Sequence, residues 1–136
     1  MQRLMIVGLA LLLLSSCATT PVPSADARPA AAVYDGALTR PQPGSATVTV
    51  VRDSGLMGSA CNDVVYVDGQ KIAALGTGEK ITVYLAPGHH VLGTTAAGIC
   101  AGGTASAETT VRAGEVRTYR IGSGQGGTLS MQPSAF

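Results

Sequence analysis

Charge is scarce in this sequence. Asp, Glu, Lys and Arg make up 12% of the 136 residues, aromatic side chains 4%, and tryptophan is absent. Past the first fourteen residues there are no Lys, Glu and Leu runs at helical spacing, so the pattern that amphipathic helices need is missing. Setting Arg3 aside leaves eight basic residues against eight acidic ones. A balance near zero gives no long-range pull on nucleic acid or anionic lipid. Nucleic acid is therefore not an expected partner, and any hold on a membrane must come from something other than charge. Yet 46% hydrophobic residues with 18 glycines is too apolar for disorder throughout. Composition points to an all-β chain with Gly-rich turns.

Catalytic patterns are missing as well. There is no G-x-S-x-G elbow for a serine nucleophile, and no carboxylate pair at a spacing that suggests glycosidase work. The cysteines lack C-x-x-C spacing and the histidines lack H-x-x-x-H spacing for zinc. The stretch Gly122-Ser123-Gly124-Gln125-Gly126-Gly127 follows a strand but opens no helix, so it does not read as a phosphate cradle. The expectation is a non-enzymatic chain with no cofactor and no metal.

What is present begins at the N-terminus. Met1-Gln2-Arg3 precedes an apolar run from Leu4 to Leu14, broken only by Gly8, and then Leu14-Ser15-Ser16-Cys17. A run of this length falls short of the roughly 20 residues needed to span a bilayer, but it suits a secretion signal. Its ending resembles the bacterial lipobox: an aliphatic residue, two small residues, then cysteine. That resemblance implies a signal peptide over residues 1–16, cleavage after Ser16, and lipidation of Cys17. Two or three acyl chains, at about 0.8 kcal/mol per buried methylene, hold a protein on a membrane where one chain does so only marginally. Ala18, in place of Asp, resembles the outer-membrane sorting pattern of Gram-negative lipoproteins.

Residues 17–45 carry five prolines among Ala, Ser and Thr. Proline removes a backbone donor and fixes φ, so this segment reads as a flexible, partly extended tether, with room for a short ordered piece near Val33–Leu38. From residue 46 to 136 the texture is that of seven or eight short strands in a small antiparallel β-sandwich. Asp68-Gly69 between two apolar runs predicts a type I′ hairpin. Ile81, Val83 and Leu85 alternate onto one face, Pro87-Gly88 turns the chain, and a second hairpin is expected around Ala113-Gly114. The run Val64 to Leu92, with its Asp-Gly turn and Pro-Gly-His-His, resembles the DUF2846-type and PEGA-like domains of bacterial envelope proteins. That likeness implies a small β-sandwich used as a surface or adaptor module.

With Cys17 assigned to lipid, Cys61 and Cys100 remain, and an oxidising compartment permits one disulfide between them. His89-His90 is the one place where acid–base or metal chemistry gathers. Strand neighbours point to opposite faces, so the two rings cannot share an ion, and one ring beside the turn with the other in water is the plainer expectation. Arg117, Tyr119 and Arg120 are candidates for an exposed partner-binding face, with a solvated charged edge as the default. The resulting expectation is a membrane-anchored envelope lipoprotein, held through Cys17, whose sandwich serves as a binding or structural module for an envelope protein or glycan. Alternatives are a His-centred metal-binding or hydrolytic envelope protein, and an inhibitor of an extracytoplasmic hydrolase.

Overall fold

The β-branched run Ala46–Arg52 forms the middle strand of a sheet in the computed structural model, which describes residues 19–56, 58–100 and 103–135. The signal segment 1–16 and Cys17 lie outside the described residues. The first sheet runs β1 (Arg28–Pro29), β6 (Glu79–Leu85), β3 (Ala46–Arg52), β9 (Val116–Ser123), β10 (Leu129–Ser134). The second runs β2 (Ala32–Val33), β5 (Gln70–Leu75), β4 (Asp63–Val67), β7 (Gly88–Ala96), β8 (Thr104–Val111). The described residues are all-β, with eight strands of five or more residues and two of only two residues. No helix among the described residues is long and apolar enough to cross a membrane.

Period-two burial builds the core. Val48 and Val50 of β3, Ile81, Val83 and Leu85 of β6, and Tyr119 and Ile121 of β9 meet Val65, Ile72, Leu75, Leu92 and Val111 of the facing sheet. Each such aliphatic contributes roughly 1.5–3 kcal/mol by leaving water. The β4–β5 hairpin turns as expected, with Asp68 at φ 50° and Gly69 at φ 81°, the pair of positive angles a type I′ turn requires.

Three expectations change. The pairing is not wholly antiparallel, because β3 runs parallel to β9 and β1 parallel to β6. The second hairpin does not form: β8 and β9 follow one another but belong to opposite sheets. Ala113-Gly114 is a corner between layers, closed by Glu115 N–H donating to the Arg112 carbonyl at 3.1 Å. Finally, the ordered fold does not start at residue 46.

Residues 19–45 lie along the sandwich rather than hanging free of it. β1 pairs with β6 and β2 with β5, the outermost long strands of their sheets on that side. The segment therefore crosses from layer to layer and covers two edges that would otherwise be open to aggregation. Proline does not prevent this. Arg28 and Ala30 donate to the Gly78 and Lys80 carbonyls, at 2.9 and 2.8 Å, and Pro29 occupies the position between them, where no donor is needed.

The strand ends sort into two loop clusters. One gathers residues 53–56, 58–62, 76–78, 97–100, 103 and 124–128, as the register Val51↔Lys80, Arg52↔Ile121, Asp63↔Ala96 and Thr95↔Thr104 requires. The described N-terminus joins this cluster, where Thr20 and Ser54 exchange backbone hydrogen bonds of 2.6 and 3.0 Å. The opposite end holds Asp68-Gly69, Pro87 and Arg112–Glu115.

Candidate functional site

Strand β9 carries the sequence-expected face, and the structure divides it. Alternation sends Tyr119 inward with Ile121, and its side chain is 2% exposed within the core. Arg120 points the other way, where its Nε and Nη2 reach Asp53 Oδ1 and Oδ2 at 3.1 and 2.6 Å. This two-pronged hydrogen bond keeps the Arg120 pKa above its ordinary value, with burial opposing. Arg117 shares the Tyr119 side of the strand. It donates through Nε to Glu115 Oε1 at 2.8 Å, and hydrogen bonds to Glu115 and then Tyr119 raise its pKa. The three residues thus do not form one surface, because Tyr119 is interior and Arg120 faces away.

Arg117 and Tyr119 nonetheless border a depression. An open cleft of about 480 Å³ is lined by Val116, Arg117, Thr118, Tyr119, Pro133, Ser134 and Ala135. It lies where the described β10 ladder ends, at Ser134↔Thr118. Val116 is 72% exposed beside it. An apolar side chain beside a guanidinium held by a carboxylate suits a short extended peptide or a polar chain.

The two histidines separate. His89 is exposed, with Nε2 3.8 Å from Glu108 Oε2. His90 packs beside the Pro87 turn: its Nδ1 is 2.7 Å from Asp68 Oδ2 and its Nε2 is 2.7 Å from the Ala86 carbonyl. Both partners accept, so only an imidazolium can satisfy both. Burial pushes the His90 pKa down, but the bonds to Asp68 and Ala86 outweigh it and the net shift is upward. Asp68 also accepts from Val91 N–H at 2.8 Å. Turn chemistry accounted for Asp68 in the sequence, whereas its bonds to β7 depend on tertiary register.

Cys61 and Cys100 form a disulfide with Cα atoms 6.1 Å apart. The bond leaves no free thiolate at these two positions, and no group of three potential metal ligands occurs among the described residues. Next to the disulfide lies a feature that sequence reading missed. Arg52, at the end of β3, is fully buried with Asp63, their side chains each 2% exposed and Nε 2.9 Å from Oδ2. Its guanidinium also donates to the carbonyls of Cys61, Leu75 and Gly58 at 2.6–2.8 Å. Burial pushes Arg52 down and Asp63 up, while the mutual charge pulls each back.

No family model matches the chain, and no curated protein matches it significantly.

The site chemistry therefore rests on geometry alone. The pairs Arg52–Asp63, Arg120–Asp53, Arg117–Glu115 and His90–Asp68 each engage acid with base, an arrangement that positions loops and turns. The disulfide and Arg52 hold one loop cluster. The Asp68–His90 lock holds the other.

Proposed function

We propose that this chain is a lipid-anchored envelope protein whose β-sandwich is a non-enzymatic binding or structural module, displayed from the membrane through Cys17. The observation that carries this reading is Leu14-Ser15-Ser16-Cys17 at the close of an eleven-residue, largely apolar run. A secretory route also suits the Cys61–Cys100 disulfide, since such bonds persist in oxidising compartments. A likeness to DUF2846-type and PEGA-like envelope modules belongs to the same reading.

The cleft at Val116–Tyr119 is the proposed partner-facing site. Gly122, further along β9, lies beside Thr19, since a Cβ placed there would come 3.6 Å from Thr19 Oγ1. Six residues of strand put Val116 about 20 Å from that point. The cleft thus opens at the end remote from Thr19, where an envelope protein or glycan has access. Arg117 would offer hydrogen bonds to an acidic or hydroxyl-rich chain, and Val116 an apolar contact.

Fractionation of cells expressing the full chain tests the anchor. Wild-type protein is expected in the membrane fraction, and Cys17→Ala in the soluble or unprocessed pool. Leader-free Cys17→Ala protein that stays with the membrane as fully as wild type would contradict the reading.

A further inference from the structure

The loop cluster that includes Ser54 has an unusual chemistry. Residues 54–56, 58–62, 97–100, 103 and 124–128 contain no Asp, Glu, Lys, Arg or His; the charges beside them are Asp53, engaged by Arg120, and Arg28, which donates to the Thr77 carbonyl. Two of these loops each expose a large aliphatic side chain almost completely: Leu56 at 91% and Ile99 at 94%, ahead of the other exposed large hydrophobics among the described residues. The disulfide ties the two loops through Cys61 and Cys100, and Arg52 binds the Gly58 and Cys61 carbonyls from below. Isolated exposed aliphatics are common. Two on covalently linked loops are a different case, because the residues around them carry no charge of their own to desolvate.

The start of the described chain lies beside them. Thr20 is bonded to Ser54, two residues from Leu56. Cys17 is only three residues before Thr20, a reach of at most about 11 Å. The headgroup layer of one leaflet is itself roughly 5–8 Å deep. Since residues 19–45 lie along the fold and provide no spacer, acyl chains at Cys17 would draw this end of the sandwich onto the lipid surface.

We propose that the loops carrying Leu56 and Ile99 rest on the bilayer, with both side chains entering the boundary between headgroups and acyl chains beside the lipidated Cys17. This rests on the anchor reading above. The loops act as a second, non-covalent foot that fixes the sandwich upright. The β9 cleft then faces away from the membrane.

The absence of tryptophan makes the test direct. Leu56→Trp and Ile99→Trp each install a single reporter at an exposed position, and Val116→Trp, 72% exposed in the wild type, serves as the remote control. The full-length acylated variants are reconstituted into phosphatidylcholine vesicles, with and without bromines at a depth of about 5–10 Å below the headgroup boundary. Emission from positions 56 and 99 is expected to shift to the blue and to be quenched by bromine, while position 116 does neither. Vesicle-bound protein with unshifted, unquenched emission at 56 and 99 overturns the proposal and leaves the anchor standing. A blue shift without bromine quenching overturns it too, in favour of a second copy or another protein over this face. Failure of the protein to float with vesicles removes the anchor reading and this inference together.

Discussion

Arg52 Nε lies 2.9 Å from Asp63 Oδ2, and this buried ion pair joins the end of β3 in one sheet to the start of β4 in the other. Removing one member leaves the other charge without compensation in the interior, which costs roughly 3–5 kcal/mol. Arg52→Met also takes the donor from three carbonyls. Urea unfolding should therefore show a loss of that size for Arg52→Met and for Asp63→Ala. The double variant Arg52→Met/Asp63→Leu should lose less than the sum, since contacting residues are not additive. Single losses under about 1 kcal/mol would show the pair to be dispensable.

The disulfide closes a loop with a sequence separation of 39, worth about 4 kcal/mol in the chain-entropy model. Cys61→Ser should lower Tm by more than about 10 °C in a scanning calorimeter. An unchanged Tm would place the stability of this end in Arg52 alone.

His90 gives stability a pH dependence whose sign is determined by its partners. Its folded pKa is raised, so its contribution is complete below the unfolded value of about 6.5 and is lost as pH climbs through the folded value. Asp68 is the reverse case: burial pushes its pKa up, but the bonds from His90 and Val91 and the histidine charges bring it down overall. Its contribution is present above the unfolded carboxylate value of about 3.9 and fades as pH falls through the lower folded value. Melting temperatures should decline from pH 6 towards pH 9, and His90→Gln should flatten that slope. A His90 pKa below about 6.5 in an NMR titration would contradict the lock.

The Pro-rich segment offers a backbone test. Amides of Arg28, Ala30 and Tyr34 donate to Gly78, Lys80 and Ile72, and bonded amides exchange only when the structure opens. Hydrogen exchange at these three should be slowed relative to the free chain. Random-coil rates would mean that the segment is a tether after all.

Legibility followed the range of the interactions. The Asp68-Gly69 turn and the Ile81, Val83, Leu85 face depend on neighbours in sequence, and both appear as read. Period two also marks Tyr119 as interior, since it shares a face with Ile121; the flanking arginines masked that signal. Arg52 was opaque because a strand-terminal arginine normally reaches water, and only the fold brings Asp63 and three carbonyls around it. The proline segment misled for a similar reason. Its donors alternate, so pairing needs only Arg28 and Ala30, and nothing local reveals that two sheet edges wait there.

Attachment through the Cys17 sulfur is tested most directly by mass spectrometry of the N-terminal peptide of protein extracted from envelopes. The expected species starts at residue 17 and carries a thioether diacylglycerol with an acylated amine. A peptide that still begins at Met1, or a Cys17 with a free thiol in water-soluble material, would contradict it.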